Sequence, residues 1–379
     1  MALERLSNCC RKSSTALDLP FQGGAIGYIA YDLGAQLLGI KSQPQLNLHD
    51  MPLLDMGLYD WALIVDHHLK VITLFAANQQ SSTQAIVAEI LALWEKPKPS
   101  NKDFLVQDEF KALISQEGYA ESFAQIQQAL HQGRCYQVNF TQGFQTPYKG
   151  DAWEMYKKVS RTNPVPFAAF LRNKQADILS FSPERFMLYE QGNLLTSPIK
   201  GTIGRSDDPQ VDEQLKAKLA QCPKNRAENV MIVDLSRNDL GKIAKTGTVQ
   251  VQELCAVQSY KAVHHLVSDI TAECVDELEP LDAFLSCFPA GSITGAPKIE
   301  AMHIINEEEV YDRGVYCGSI GYFSNHGRFD TNIAIRTLTA KSGILHLAAG
   351  GGIVMDSQAQ DEYQECFTKI AAIINGLKG

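Results

Sequence analysis

The residues best suited to chemistry are Glu184 and Lys200, which stand near the two ends of a stretch from 182 to 205. It reads Ser-Pro-Glu-Arg-Phe, an apolar run, then Ser-Pro-Ile-Lys-Gly-Thr-Ile-Gly-Arg. Lysine is a nucleophile only when neutral, so a lysine used this way needs its pKa lowered from about 10.4, at ~1.4 kcal/mol per unit. Burial or a neighbouring cation does that. A carboxyl close by supplies a proton donor. Between the two residues, Phe186 to Leu188 and Leu194 to Leu195 are apolar around a Gln-Gly-Asn turn signal, the pattern of two paired strands. Such a hairpin brings its ends to one neighbourhood. Taken alone, the same residues also describe a Glu/Lys ion pair on a solvated sheet face.

Other groups complement this pair. Gly350, Gly351 and Gly352 follow a strand-like run, and successive glycines let backbone amides converge on an anion, although a flexible loop has the same composition. Asp361, Glu362 and Glu365 open the last helix, with Glu362 and Glu365 three apart on one face. Lys369, four beyond Glu365, could pair with it at the surface. Glu228 lies in the first turns of another helix. Brought together, Glu228 and Glu365 would make a hard oxygen site of the kind Mg²⁺ uses, completed by water and substrate oxygens. His264 and His265 are adjacent, so on a strand they point to opposite faces, one functional and one exposed. Arg336 is a charge inside an apolar strand pattern and calls for an anionic partner.

The elements that must hold these groups follow from periodicity. Before residue 95 the pattern predicts a glycine-interrupted strand near Gly23 to Gly27, a hairpin over 59–66 and 69–76 turning at His67 and His68, and a helix over 82–94. Glu95 to Lys102, rich in Pro and Lys, reads as a linker and divides a partial N-terminal region, 1–102, from a catalytic region, 103–379. Beyond it come helices over 119–131, 151–160, 208–222, 227–244, 279–287, 296–307 and 359–376. Strands are predicted over 135–144, 167–172, 177–182, 315–323, 328–340 and 344–349.

Composition narrows the class. With 34 basic and 43 acidic residues the formal charge is -9, which argues against general affinity for nucleic acid or an anionic membrane. The nine cysteines form neither CxxC pairs nor a disulfide framework, and one adjacent pair is Cys9 and Cys10. A reducing cytoplasm is the expected compartment. There is no run of about 18 apolar residues, no secretory signal and no Gly-x-Gly-x-x-Gly fingerprint.

Together these segments resemble the chorismate-utilising enzymes. The match runs through Ser182 to Phe186, Pro198 to Thr202, Ala227 to Gly241, Val263 to Ser268, Phe288 to Ala301, Cys317 to Tyr322, Asp330 to Thr339 and Ala349 to Phe367. Within the family it is nearest to the component I branch that aminates chorismate for 4-aminobenzoate and folate. The resemblance implies an α+β fold in which a two-sheet β-sandwich flanked by helices holds the active site between the sheets. It implies Mg²⁺ held by Glu228 and Glu365 with Glu362 near it, the metal in turn holding the ring carboxylate. Gly350 to Gly352 and Lys369 would assist there. Arg336 and Tyr316 would take the enolpyruvyl carboxylate, while Ser292, His265 and Thr202 line the pocket.

Lys200 marks the branch, because anthranilate-forming relatives carry alanine at that place and the 4-amino branch carries a lysine used as a covalent nucleophile at C2. Glu184 is the implied general acid. Gln137 stands where isochorismate-forming relatives have a water-activating lysine. No glutaminase module is recognisable, so the resemblance implies a separate glutamine amidotransferase subunit as ammonia source. The alternatives it leaves are an anthranilate-type component I, or an inactive chorismate-binding partner of a glutaminase. Ile203-Gly204-Arg205 departs from the family motif. The chain also begins inside the family's usual N-terminal region, so tight tryptophan binding is not expected, and an open sheet edge or exposed apolar surface is.

Overall fold

The computed structural model describes residues 3, 4, 6, 17–41, 51–95 and 103–378, so most of the Glu95 to Lys102 linker and the Cys9-Cys10 pair lie outside the described residues. Two large, mainly antiparallel sheets form the molecule. One runs Ile199–Gly204, Val263–Glu273, Asn193–Ser197, Arg185–Glu190, Phe329–Asn332, Ser319–Ser324, Gly24–Ile29, Leu54–Tyr59, and Gln250–Ser259 also pairs with Val263–Glu273. The other runs Gly295–Ala296, Gln137–Gly150, Ile344–Ile353, Thr337–Lys341, Asp177–Ser182, Phe167–Arg172, with Phe104–Val106 and Lys111–Ala112 added along Gln137–Gly150. Trp61–Asp66 and Val71–Ala76 pair as a separate hairpin.

Each sheet has its own helical cover and core. Helices Pro223–Gly241 and Pro280–Cys287 pack on the first around Phe186, Val233, Leu240, Ile270, Phe323 and Phe329. Phe284 is the pivot, with rings of Phe186, Phe288, Phe323 and Phe329 around it at centroid distances of 5.2–6.1 Å. Helices Gln116–His131, Ala152–Thr162, Lys298–Glu308 and Ala359–Lys378 cover the second around Tyr119, Phe140, Phe144, Phe181 and Ile370. A third apolar cluster, with Tyr28 and Ile320 from one sheet and Ile178 from the other, joins the two faces.

The sandwich has the predicted architecture. The local reasons are visible too. Gln191 and Gly192 both have positive φ, 51° and 82°, as a tight two-residue hairpin turn requires. Ser115, Asp151 and Asp208 accept backbone N–H bonds at the starts of their helices. At the far edge of the first sheet, Leu58 and Tyr59 of Leu54–Tyr59 are exposed, as are Leu63, Val65, Val71 and Ile72 on the hairpin.

Two predicted strands are corrected. The apolar run 328–340 is broken into Phe329–Asn332 and Thr337–Lys341, which belong to different sheets. The run 315–323 contributes a strand only from Ser319, because residues 314–317 form a turn with Cys317 at φ 61°.

Candidate active site

The site is built where the chain passes from one sheet to the other. Asp177–Ser182 is in the second sheet and Arg185–Glu190 in the first, so Pro183 and Glu184 form one crossover. Ile333 to Arg336 forms another. The two are laced together: the Ile333 amide donates to the Glu184 carbonyl at 3.1 Å, Phe181 N–H to the Arg336 carbonyl at 3.0 Å, and the Ser182 hydroxyl to the Ile333 carbonyl at 2.6 Å. Backbone bonds therefore fix a carboxyl and a guanidinium at the seam between the sheets. Arg336 adopts φ +51°, off the strand geometry predicted for it, which turns the chain between sheets.

Glu184 is buried, and its Oε1 accepts from Ser292 Oγ at 3.0 Å and from the Ile199 amide at 3.4 Å. Burial pushes its carboxyl up to about 7, against the opposing pull of Lys200, these two donors and Arg336. Lys200 follows Ile199 on the strand Ile199–Gly204 and is partly buried. Burial lowers its pKa, helped by the Lys369 ammonium, while Glu228, Glu184 and Glu365 act the other way. One environment thus raises the pKa of the acid and lowers that of the amine, the directions general acid and nucleophilic catalysis require.

Gly201 explains how a helix reaches this strand. It has φ +84°, and a Cβ there would meet the Asn225 side chain at 2.9 Å. The first turns of Pro223–Gly241 press onto the strand through that gap, carrying Glu228 into electrostatic reach of Lys200.

At the acidic end, the C-terminal helix and the strand Ile344–Ile353 meet. A Cβ on Gly351 would lie 2.8 Å from Glu362 Oε2 and 3.2 Å from Glu365 Oε1, so both carboxylates converge over bare backbone. Glu365 pairs with Lys369 at 2.6 Å, and Lys369 Nζ also donates to the Gly350 carbonyl at 2.7 Å. Ser357 Oγ donates to Glu362 at 2.7 Å. Burial, and secondarily the charge of Glu365, raises the Glu362 pKa; burial also opposes ionisation of Glu365, but Lys369, Lys224 and Lys200 outweigh it and hold that pKa low.

Among the described residues no group of three or more His, Cys, Asp or Glu closes around a single metal position; the Glu228 charge acts on Lys200. Two convergent carboxylates, Glu362 buried and Glu365 partly exposed, nevertheless fit Mg²⁺, which takes one or two protein carboxylates and keeps waters and substrate oxygens.

The anion nest expected at Gly350 to Gly352 is not formed. All three lie inside a strand, in register with Thr141, Phe140 and Asn139. The Gly350 carbonyl faces Lys369, away from that partner strand, so by alternation the Gly350 and Gly352 amides line an unpaired edge while Gly351 is turned into the ladder. Glycine is needed here for close approach: a Cβ at 350 would sit 2.0 Å from the Phe140 carbonyl oxygen and one at 352 would sit 2.5 Å from Gln137 Nε2. That Gln137 nitrogen is buried and has no hydrogen-bond partner.

His265 is buried beside Thr202, with Nδ1 2.9 Å from Thr202 Oγ1, and burial together with the Arg336 charge lowers its pKa to about 4. It is neutral near pH 7. His264 points to the other face as expected, but it is not exposed: it is buried against Asp212 at 3.0 Å and Ser259 at 2.8 Å. The Arg336 guanidinium makes no ion pair among the described residues, although the Glu184 charge acts on it, and this leaves a cation at the seam without a direct acceptor. Tyr316 lies on the 314–317 turn, held near that crossover by the bond from the Cys317 amide to the Ala334 carbonyl at 3.1 Å.

Glu184, Lys200, Ser292, Glu228, Glu362, Glu365, Lys369, Arg336, His265 and Thr202 therefore occupy one connected region. Sequence reasoning missed Lys224, whose charge acts on Glu362 and Glu365. Its signal was present, since it lies four residues before Glu228 on the same helix face.

A two-sheet enzyme with an acid, a shielded amine, converging carboxylates and a lone guanidinium is suited to a small polyanionic substrate. The chain belongs to the chorismate binding enzyme family, which it matches over residues 2–375. It is 47% identical over 363 residues to aminodeoxychorismate synthase component 1 of Escherichia coli, spanning 95% of this chain and 78% of that protein. It is 34% identical over 390 residues to anthranilate synthase component 1 of Mycolicibacterium smegmatis, spanning 94% of this chain and 72% of that one. Its fold matches a crystal structure of anthranilate synthase component I from Streptococcus pneumoniae with a TM-score of 0.90 at 32% identity, covering 98% of this chain and 85% of the other. Among the described residues no helix is long and apolar enough to cross a membrane.

Proposed function

We propose that the chain aminates chorismate at C4, giving 4-amino-4-deoxychorismate for 4-aminobenzoate and folate synthesis. The observation that carries this reading is that the Ile199 amide, one residue before Lys200, bonds the buried Glu184 carboxyl at 3.4 Å, so that amine and carboxyl share a neighbourhood in which burial lowers the one pKa and raises the other. Glu184 donates its proton to the C4 hydroxyl, which departs as water. The Lys200 nitrogen bonds to C2 as the ring double bonds shift, and loses a proton. Ammonia then bonds to C4, the double bonds shift back, and the C2–N bond breaks as its nitrogen takes up a proton equivalent to the one the new C4 ammonium releases, which returns the neutral lysine. The proton Lys200 lost on bonding to C2 restores Glu184 as the acid. The sum is chorismate plus ammonia to product plus water, with the enolpyruvyl group retained.

Arg336, with Tyr316 on the neighbouring turn, takes the enolpyruvyl carboxylate, and the Gly350 and Gly352 amides with Lys369 assist at the ring carboxylate. Neutral His265, fixed through Thr202, and Ser292 border the ring. Holding both anionic arms aligns the ring with the lysine before reaction. Glu362, Glu365 and Glu228 would hold Mg²⁺, which when bound supplies positive charge for the ring carboxylate. The ammonia comes from a separate glutamine amidotransferase subunit, a partner consistent with the component 1 names of the relatives.

The test is turnover of chorismate with ammonium salt and Mg²⁺, wild type beside Lys200→Ala, with the product's ring position read by mass spectrometry and NMR. The expected result is a 4-amino product and a loss of about 10²-fold or more in the variant. Equal rates remove the covalent lysine, and a 2-amino ring or anthranilate moves the chain to the anthranilate-forming branch.

A further inference from the structure

Next to the segment that carries Ser292 is a buried ion pair that the reaction outlined above does not use. Arg313 and Glu309 are 3% and 8% exposed. Arg313 Nε donates to Glu309 Oε2 at 2.8 Å and Nη2 to Glu309 Oε1 at 2.7 Å, a two-pronged pairing. The same guanidinium reaches two backbone carbonyls, Ile293 from Nη1 at 2.8 Å and Asn139 from Nη2 at 2.7 Å, and lies 4.5 Å over the Tyr31 ring. Glu309 Oε1 accepts in addition from the Thr141 amide at 2.9 Å and its hydroxyl at 2.8 Å.

Each segment gripped in this way carries something the pocket needs. Ile293 directly follows Ser292, whose hydroxyl is bonded to Glu184. Asn139 and Thr141 are the partners of Gly352 and Gly350 in the strand register, and Gln137 is two residues before Asn139. Gly314, next to Arg313, opens the turn bearing Tyr316; its amide donates to Asp32 Oδ2 at 2.7 Å and its carbonyl accepts from Tyr31 N–H.

Four donor contacts from one planar group, to a carboxylate and two carbonyls, are a geometry that lysine's point charge cannot reproduce. An ion pair this deep is also a poor source of stability, since desolvating both charges offsets most of their attraction. Packing alone would be served as well by apolar residues of similar volume.

We propose that Arg313, braced by Glu309, is a positioning residue for the amination reaction: it sets the backbone that aims the Ser292 hydroxyl at Glu184. The proposal rests on the reading of Glu184 as general acid. Glu184 is faced by Ser292, the Ile199 amide, Lys200 and Arg336, and among these the Arg313 guanidinium is bonded to the segment that carries Ser292. Ser292 donates to the ionised carboxyl, so losing or misaiming it raises the Glu184 pKa further.

The experiment is the pH profile of kcat/KM for chorismate, with ammonium as nitrogen source, in wild type, Ser292→Ala, Arg313→Lys and the double variant. Ser292→Ala is expected to move the Glu184-controlled limb upward by about one pH unit. Arg313→Lys moves it in the same direction, and the double variant goes no further than Ser292→Ala. Should Arg313→Lys fail to fold, Arg313→Met combined with Glu309→Leu removes both charges, leaves none unpaired, and is expected to show the same displacement. The proposal is overturned if the folded Arg313 variant keeps the wild-type limb while Ser292→Ala moves it, or if the two displacements add. A limb that Ser292→Ala itself leaves in place removes Glu184 as the acid, and this proposal with it.

Discussion

Alanine at Gly350 and at Gly351 should separate folding from metal binding, although the two sites are neighbours on one strand. At Gly350 the added Cβ would be 2.0 Å from the Phe140 carbonyl oxygen, which is backbone of the paired strand, so the ladder itself must open by about 1 Å. Overpacking of that kind costs about 1–3 kcal/mol. At Gly351 the added Cβ would be 2.8 Å from Glu362 Oε2 and 3.2 Å from Glu365 Oε1, the free ends of flexible side chains. They swing aside by a few tenths of an ångström at little energetic cost, and replacing glycine inside a strand returns about 0.5–1 kcal/mol of backbone entropy. The fold should therefore barely notice Gly351→Ala, while the two carboxylates lose their convergence. Gly351 is the surface against which the two carboxylates are set, and disturbing the groups that orient metal ligands weakens affinity by about ten- to a hundredfold. Thermal denaturation and Mg²⁺ titration, by calorimetry and by turnover, read the two effects separately. Gly350→Ala should melt several degrees lower, and Gly351→Ala should melt like wild type yet need far more Mg²⁺. An unchanged Mg²⁺ midpoint in Gly351→Ala would refute the assignment of Glu362 and Glu365 as the cation-holding pair. A melting loss equal to that of Gly350→Ala would refute the steric reasoning.

Three further outcomes are expected. Glu184→Gln should lower the rate by about 10²–10⁴-fold and abolish the limb of the pH profile that Glu184 controls, with the chorismate KM changing far less. Asp32, buried under Gly314, has its carboxyl raised from 3.8 to about 7 by burial and by Asp312. The folded state then binds a proton at Asp32 more tightly than the unfolded chain does, so the stabilisation this group contributes is fully present below about pH 4 and is lost as pH rises through about 7. Urea denaturation between pH 5 and 8 should show Asp32→Asn losing about 2–3 kcal/mol less than wild type, the loss from the similarly raised Glu184 carboxyl being common to both. Phe284→Ala removes the pivot of the first core and should destabilise by about 3–5 kcal/mol in the same assay, leaving KM values of the folded fraction unchanged.

Local signals carried most of the elements. The hairpin between Glu184 and Lys200 was readable because a Gln-Gly turn between apolar runs leaves few other conformations, and helices such as Pro209–Gln221 announce themselves with an Asp cap and a proline in the first turn. Sequence failed where the surroundings, not the neighbours in the chain, set the conformation. Ile333, Ala334 and Ile335 look like strand because the seam between two sheets is as apolar as a sheet interior, and only pairing reveals that the chain changes sheets there. The glycines at 350–352 suggested a nest because glycine marks close approach without saying to what; here it is to Phe140, Gln137 and the two glutamates.

The same distinction explains which charges could be weighed. Glu365 and Lys369 are four apart on a helix and do pair, and they also belong to the site, since Lys369 bonds the Gly350 carbonyl while its charge acts on Lys200. Glu309 and Arg313 have the identical spacing but lie past the end of Lys298–Glu308, where no helix aligns them. Folding leaves one pair half-exposed beside Gly350 and buries the other, in contact with Ile293 and Asn139. Spacing fixes that two charges can meet; the dielectric around them and the third group within reach decide whether the meeting matters. That third group is Gly350 in one case and the segment carrying Ser292 in the other, and neither could be named until the two sheets were closed over each other.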